Sequence, residues 1–228
     1  LPPAAVFESL TRLVDRSLVS VEPRGEEERY RQLETIRDYA HDKLIQSNEA
    51  DHVRRRHFDF FLPWVEAYEP DMPWGTAEQL WLDRLEAEQD NLRAALHWSL
   101  ECGEFEQTLR LAGALGWFWY IRSNFVEGRR WLDQALAHCD TCMPAVRAKA
   151  LDRAGALAVR QGDYVRAFEF LSAALSLYDA SGNSIRRAWV LHQLSYIAFY
   201  RGNYAKAIAT ARESLLLSER FGKRAEVA

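Results

Sequence analysis

Two stretches of this sequence decide its fold: Gln161-Gly162-Asp163-Tyr164-Val165-Arg166-Ala167 and, 40 residues later, Arg201-Gly202-Asn203-Tyr204-Ala205-Lys206-Ala207. The correspondence continues beyond them, since Leu175 is matched by Leu215. Self-similarity at a fixed period of this size is typical of repeat proteins, in which each unit packs against its neighbours. Each copy predicts a helix, a turn and a second helix, and glycine gives the turn its backbone freedom.

Both copies resemble the tetratricopeptide repeat, whose pattern places small and aromatic residues around a central Gly-Asp-Tyr. A weaker copy lies 39 residues upstream, around Ser123-Asn124-Phe125. The resemblance implies a mainly α fold with a superhelix of helical pairs over residues 105–228. The expected pairs occupy 105–139, 144–180 and 184–222. If Gly162 and Gly202 adopt a positive φ, a β-branched residue there would be strained.

Composition excludes several classes of protein. The chain has 228 residues, 27% charged and 48% hydrophobic, so it can bury a sizeable core and is not disordered throughout. The net charge of −4 gives no general attraction to nucleic acid or to an anionic membrane. The sequence shows no signal peptide and no apolar run of the ~18–20 residues that a membrane span needs. Three cysteines in a chain of this length favour a reducing, cytoplasmic setting.

The first 50 residues predict a helix, a β-hairpin and a second helix. Apolar residues recur at helical spacing between Ala4 and Asp15. Short strands are expected at 18–21 and 29–33, around a turn-forming stretch, and a further helix is expected from Glu34. This order is typical of the end of a winged helix, so we assign residues 1–50 to a winged-helix segment.

Several segments of the sequence also resemble bacterial STAND ATPases, which include LuxR-type and other transcriptional regulators. The segments that carry the resemblance are LVDRSLV at 13–19, RYRQLETIRDYA at 29–40, WLDRLEAEQDNLRAAL at 81–96 and GRRWL at 128–132. The family implies an order of nucleotide-binding domain, winged helix, helical linker and sensing repeats. Because the chain starts at Leu1 without a Met, we expect a segment of a longer protein.

The chain departs from the ATPase pattern in two places. No Gly-x-x-x-x-Gly-Lys-Ser/Thr loop is present to cradle phosphate. Leu33 stands where related proteins place a histidine that reaches the nucleotide, and its side chain cannot donate a hydrogen bond. We expect no catalytic residue and no cofactor in this segment, while the resemblance implies ATP or ADP in the full-length parent.

Direct DNA binding by this segment is not expected either. Residues 1–57 contain 10 Lys and Arg against 11 Asp and Glu, which is a poor electrostatic match for a phosphate backbone. We interpret Arg54-Arg55-Arg56 as the solvated face of a helix, with a nucleic-acid patch as the less favoured alternative.

Residues 51–104 are interpreted as a helical linker. One helix is expected from Asp51 to Glu69, with a kink at Pro63. Thr76-Ala77-Glu78-Gln79 fits a capping box, which predicts a second helix to about Glu101. Gly103 ends this pattern, and the repeats follow.

Two further patterns are weighed against simpler interpretations. Cys139 and Cys142 form a Cys-x-x-Cys, but a closed zinc site needs four ligands, and no thioredoxin-like context favours a redox disulfide. We interpret the pair as a solvent-facing loop and expect no metal site. Acidic pairs such as Glu86 and Asp90 are interpreted as a charged helix surface, because no His or Ser accompanies them.

The tetratricopeptide resemblance implies a concave groove lined by the first helix of each pair. Its lining positions correspond to Arg110, Gly113, Trp117, Tyr120, Ile121, Lys149, Asp152, Ala156, Val159, Arg160, Trp189, His192, Tyr196, Phe199 and Tyr200. All of these except Gly113, Ile121, Ala156, Val159 and Phe199 are our candidate ligand or partner residues. Flat aromatics with a few charges suit a recognition site, although the same aromatics could pack as core.

The favoured function is a non-catalytic sensor segment of a STAND-type transcriptional regulator. Its repeats would bind an inducer or a protein partner and relay binding to an upstream nucleotide-binding domain of the same chain. The alternative is a protein interaction or self-association scaffold without a small-molecule ligand. An enzyme is the least favoured class, and no membrane partner is expected.

Overall fold

The structure, a computed structural model, describes residues 3–24, 27–69 and 78–225. The predicted mainly α fold class is confirmed: the described residues contain helices and one two-stranded antiparallel hairpin. The chain divides into two compact units, Leu1–Arg56 and His57–Ala228.

The first unit contains helix α1 at Pro3–Asp15, strands β1 at Ser20–Arg24 and β2 at Glu27–Arg31, and helix α2 at Glu34–Gln46. Strand β1 begins at position 20 rather than at the predicted position 18, because α1 ends in a turn, and β2 spans 27–31 rather than the predicted 29–33. Ser17 has a φ of 56°, and the amide of Leu18 donates to the carbonyl of Leu13. This is a Schellman-type helix end, and it uses the residues that the sequence pattern assigned to the strand.

Helix α3, Ala50–Tyr68, begins in the first unit, ends in the second and continues through Pro63. Two helices follow, α4 at Glu78–Ala87 and α5 at Gln89–Glu101. The prediction of one helix to about Glu101 is therefore wrong, because Glu88 has non-helical dihedral angles of φ −101° and ψ 8°. Thr76 of the proposed capping box lies outside the described residues.

Three helix pairs follow in the second unit. They are α6 at Phe105–Ile121 with α7 at Phe125–Leu136, α8 at Pro144–Arg160 with α9 at Tyr164–Ser181, and α10 at Ser184–Tyr200 with α11 at Tyr204–Ala225. The two helices of each pair pack against each other, and α8 also packs against both α6 and α7. Successive pairs therefore stack as in a repeat array.

The helices before the repeats share the hydrophobic core of the repeats. Phe58 and Val65 of α3, and Leu96 of α5, are buried in the same cluster as Leu115 and Leu157. Within the described ranges 57–69 and 78–101, these helices thus share one core with the repeats, whereas the sequence interpretation treated 51–104 as a helical linker. The physical reason is that the apolar faces of α3 to α5 need a surface against which they can be buried.

The repeated Gly-Asp and Gly-Asn dipeptides end one helix and begin the next. Gly162 and Gly202 have φ values of 75° and 74°, which is the left-handed conformation in which a β-branched residue would be strained. At each turn the following amide reaches back to the first helix, and the Asp163 and Asn203 side chains accept a hydrogen bond from a backbone amide of the second helix. One dipeptide therefore supplies both a C-terminal and an N-terminal helix cap.

The weak first copy offers a direct test of this turn, because Ser123 holds a φ of 61° at the position of Gly162. We expect Gly162→Ser to lower the free energy of unfolding by about 1 kcal/mol and Ser123→Gly to raise it by a similar amount. Urea denaturation of the two variants and of the unsubstituted chain measures both changes. Shifts of the same sign in the two variants would contradict the equivalence of the turns.

Candidate functional site

The predicted groove residues lie on α6, α8 and α10, but they do not form one open wall. Trp117, Gly113, Asp152, Ala156 and Val159 are buried. A second set is partly buried: Arg110, Tyr120, Ile121, Lys149 and Trp189. The exposed members are Arg160, His192, Tyr196, Phe199 and Tyr200. The structure thus separates the set into a charged region and an aromatic region with buried tryptophan between them.

Trp117 belongs to the core of the protein. Its side chain has no exposed surface, and its ring lies 5.1 Å from that of Trp189 and 5.5 Å from that of Tyr120, each in an edge-to-face arrangement. The Arg153 guanidinium carbon lies 4.2 Å from the centroid of the Trp117 ring. The placement of Trp117 on an open groove is therefore corrected: α8 and α10 cover it, and its indole packs against them.

A buried ion pair occupies the middle of α8. Asp152 has no exposed surface and Arg153 is 1% exposed, and Arg153 Nη1 donates to Asp152 Oδ2 across 3.2 Å. The Tyr178 hydroxyl donates to the same oxygen across 3.4 Å. Asp152 Oδ1 and Arg153 Nε are buried and have no hydrogen-bond partner among the described residues. Asp152 is thus an interior carboxylate and does not line the surface of a groove.

Two glutamates from outside the repeats complete this cluster. Glu69, which follows α3, accepts a hydrogen bond from Lys149 and another of 3.4 Å from Arg153 Nη2. Glu66 accepts two hydrogen bonds from Arg110, at 2.9 Å and 2.6 Å. The charges on α6 and α8 are therefore balanced largely by the end of α3. Below, the name charged cluster refers to Glu66, Glu69, Arg110, Lys149, Asp152, Arg153 and Arg186.

Glycine on α6 makes room for these cations. A Cβ atom at Gly116 would lie 2.5 Å from Cγ and Cδ of Arg153, closer than nonbonded atoms can approach. Gly113, one turn earlier, lies against the aliphatic stem of Lys149. Lys149 and Arg153 are four residues apart and lie on one face of α8. Gly113 and Gly116 are three residues apart and lie on one face of α6. Their stems can therefore pass along the backbone of α6.

Burial opposes ionisation in this cluster. Removal from water raises the pKa of Asp152 and lowers the pKa of Arg153, and the charge of each residue acts against the shift of the other. Burial also raises the pKa of the Tyr178 hydroxyl, which therefore remains protonated and able to donate to Asp152. The ion pair depends on both partners, since either charge alone would be strongly disfavoured here.

A cleft of about 430 Å³ lies beside the charged cluster. The start of α8 and the end of α9 form its apolar walls, with Pro144, Ala148 and Leu177. Its polar lining residues are Glu66, Glu69, Lys149, Tyr178, Ser181, Asn183 and Arg186. An apolar wall with a few convergent polar groups is the usual composition of a small-molecule site.

Arg186, in the first turn of α10, lines this cleft. Its Nη1 lies 4.0 Å from Asp152 Oδ2, which is beyond hydrogen-bonding distance, and this nitrogen is buried with no hydrogen-bond partner in the described part of the chain. The neighbouring Arg187 instead donates to Asp179 across 2.5 Å and also to Glu213. Arg186 is thus a cation held at the cleft without a close acceptor.

A second surface, here called the aromatic patch, consists of Tyr164, Tyr196, Phe199, Tyr200 and Tyr204. The Tyr164 and Tyr200 rings stack at 5.3 Å, and the Tyr196 hydroxyl donates to that of Tyr200 across 3.0 Å. Phe199 is 54% exposed and contacts both Tyr200 and Tyr204. Because its rings are held against each other yet remain accessible, the patch suits contact with another chain.

Four residues of the charged cluster were missed by the sequence analysis: Glu66, Glu69, Arg153 and Arg186. Arg153 had a recognisable signal, because an Asp-Arg pair interrupts the otherwise small and apolar stretch 150–159. Glu69 had none, since it contacts a residue 84 positions away. The helical pattern shows which residues share a face but does not show which distant chain segment packs there.

The Cys-x-x-Cys lies in a loop between α7 and α8, as interpreted from the sequence, and His138, Asp140 and Thr141 in this loop are exposed. Cys139 differs from that interpretation: it is 1% exposed, and its Cα lies 5.2 Å from that of Cys142. Cys139 is buried because it joins the hydrophobic core after α7. Over the described ranges, no group of three or more His, Cys, Asp or Glu residues could hold a metal ion. No helix within those ranges is long and apolar enough to cross a membrane.

Comparison with known proteins agrees with this architecture. Residues 146–220 match the tetratricopeptide repeat family. The chain is also 40% identical over 155 residues to two candidate HTH-type transcriptional regulators, Rv0890c of Mycobacterium tuberculosis (strain ATCC 25618 / H37Rv) and Mb0914c of Mycobacterium bovis (strain ATCC BAA-935 / AF2122/97). The match covers 66% of this chain and 17% of each relative, so the chain corresponds to about a sixth of their length.

Buried and exposed aromatics of the predicted groove should differ in how much their mutation lowers the free energy of unfolding. We expect Trp117→Ala to lower the free energy of unfolding by about 3–5 kcal/mol, because it removes a fully buried indole. Tyr200→Ala, at a residue that is 52% exposed, should cost less than about 1 kcal/mol. Chemical denaturation measures both. Equal losses in the two variants would contradict the division into core and surface.

Loss of the buried ion pair should destabilise the protein more than loss of an exposed ion pair. Asp152→Ala leaves Arg153 buried beside Glu69 alone and should cost about 3–5 kcal/mol of stability. The matched control is Glu169→Ala, which breaks an exposed pair with Arg166 and should cost less than about 1 kcal/mol. Thermal and urea unfolding of the two variants check this, and a near-neutral Asp152→Ala would show that the pair is not buried as described.

Proposed function

We propose that this chain is the non-catalytic sensor and interaction segment of an HTH-type transcriptional regulator of the STAND, LuxR-like kind. The relatives are named as candidate HTH-type transcriptional regulators, and 146–220 match a repeat family that generally mediates protein interactions. Binding to the repeats would be relayed to a nucleotide-binding domain that precedes this segment in the same chain. The segments that resemble STAND proteins support this order.

The observation that carries the sensor role is the cleft beside the charged cluster. Its walls come from α3, α8, α9 and the start of α10, so an occupant would contact the helices before the repeats as well as two repeat pairs. A ligand that favours one packing of these helices shifts the population of that packing by its difference in affinity. The cleft therefore offers a route from binding to a change in the array.

Several properties of the whole protein belong to the same proposal. ATP or ADP would bind in the parent and not in this segment, which lacks a phosphate-binding glycine loop. DNA would be contacted elsewhere in the parent, in keeping with the near-neutral charge of residues 1–57. The regulator would act in the cytoplasm.

A second candidate function is supported by the aromatic patch. Its exposed rings would serve a protein interaction scaffold, in which a partner or another copy of the chain binds without any small-molecule inducer. Tyrosine and phenylalanine are enriched in such interfaces because they bury a large area with few rotatable bonds. The two candidates use different surfaces, so they make different predictions.

The test uses the full-length regulator in its host, with the native copy deleted. Ser181→Trp places an indole in the lining of the cleft without removing a charge, and Tyr196→Ala with Tyr200→Ala removes part of the aromatic patch. We expect the cleft variant to change regulated transcripts at least several-fold in RNA sequencing, because the occupant is excluded. Glu169→Ala, on an exposed ion pair, is the control and should leave them unchanged.

The other results discriminate between the candidates. A change in the patch variant alone, with loss of a co-purified protein, favours the scaffold function. Normal transcription in both variants, at wild-type protein levels, contradicts a regulatory role for this segment.

A further inference from the structure

Three of the four cations in the charged cluster are hydrogen-bonded to its carboxylates. The cluster contains four cations, Arg110, Lys149, Arg153 and Arg186, and three carboxylates, Glu66, Glu69 and Asp152. Each of the first three cations donates a hydrogen bond to a carboxylate of the cluster. The charge of a further carboxylate, Glu106, also raises the pKa of Arg110. Arg186 is the cation whose nearest cluster carboxylate lies only at 4.0 Å.

The chemistry of Arg186 identifies the complementary group. A guanidinium presents parallel N–H donors that match the two oxygens of a carboxylate. The Arg186 side chain lines the cleft and is only 14% exposed, so most of the cost of removing it from water has been met before any ligand binds. Because Nη1 is itself buried beside Asp152, a carboxylate would bind the remaining N–H groups of the guanidinium, for little additional desolvation of the protein.

The surrounding carboxylates limit the charge of the ligand. Glu66 and Glu69 line the same cleft, and Asp152 lies behind Arg186. These carboxylates would repel a phosphate dianion more strongly than a monoanion, so the ligand that fits beside Arg186 carries a single negative charge. Pro144, Ala145, Ala148 and Leu177 provide an apolar wall for the rest of the molecule. The cleft volume of about 430 Å³ is sufficient for a molecule of this kind.

We propose that the cleft binds a small organic monocarboxylate, with the carboxylate on Arg186 and the apolar body against the start of α8 and the end of α9. This inference rests on the proposed function, because it names the ligand class of the same cleft. The carboxylate could belong to a free organic acid or to the carboxyl terminus of a peptide, and both would meet Arg186 in the same way.

The test uses the purified 228-residue chain and matched probe pairs. Sodium benzoate is compared with neutral benzamide and with phenylphosphate, and the tripeptide acetyl-Ala-Ala-Phe is compared with its carboxyl-terminal amide. Isothermal titration and chemical-shift changes of the arginine side-chain nitrogens measure binding. We expect benzoate or the peptide acid to bind at least tenfold more tightly than its amide, and phenylphosphate to bind more weakly than benzoate.

Variants locate the binding. Arg186→Gln should weaken binding of the acid at least tenfold, and Arg186→Lys should weaken it less, because the charge remains while the paired donors are lost. Arg187→Gln is the matched control: it lies next to Arg186 on the same helix but pairs with Asp179 and Glu213, so it should leave binding unchanged. Melting temperatures show whether each variant is folded.

Three results with the unsubstituted 228-residue chain would overturn the proposal. They are equal binding of acid and amide, tighter binding of phenylphosphate than of benzoate, and the absence of acid binding. Unchanged binding in a folded Arg186→Gln would also overturn it. Preference for benzoate over the peptide acid supports a free organic acid, and the reverse supports a peptide carboxyl terminus. A negative result in these binding assays would overturn the carboxylate proposal but not the sensor function, because the transcriptional test of the cleft does not depend on the ligand class. The two proposals can therefore fail separately.

Discussion

The packing of α6, α8 and the end of α3 depends on the burial of one guanidinium. Arg153 is held between the face of Trp117, the carboxylate of Asp152 and that of Glu69. An isolated cation could not be buried there, because the loss of hydration would exceed any gain from packing. Its position requires the missing side chain at Gly116, which allows the arginine stem to lie against α6. The packing of α6 on α8 and the docking of the end of α3 therefore share one physical cause.

This arrangement also divides the array into two surfaces with different chemistry. The charged cluster and its cleft involve the end of α3, the first half of α8 and the first turn of α10, whereas the aromatic patch lies around the end of α10. Trp117 and Trp189 fill the space between them with contacting rings. Small anions and protein side chains would thus meet different parts of one scaffold.

The helices before the repeats protect the first pair. The first pair of a repeat array leaves one apolar face that no preceding pair covers, so such arrays need a terminal cap. Here α5 packs against α6, and residues of α3 and α4 join the same core. Glu66 and Glu69 come from this capping layer, so the layer contributes to the candidate site as well as to stability. The domain order implied by the STAND resemblance would describe the same residues only as a linker between the winged helix and the repeats.

The sequence by itself determined the features whose causes are local. The Gly-Asp and Gly-Asn turns, the helix pairs around them and the hairpin depend on backbone conformation and on spacing within a few residues, so they can be read from the chain. Only the tertiary structure decided which face of each helix is buried. Trp117 and Tyr196 occupy the same motif position, yet one is core and the other is 41% exposed, because α8 and α10 cover only the first. The charged cluster likewise joins Arg153 to Glu69 across 84 positions. Helical periodicity records neighbours along one helix and carries no information about the segment that packs against it.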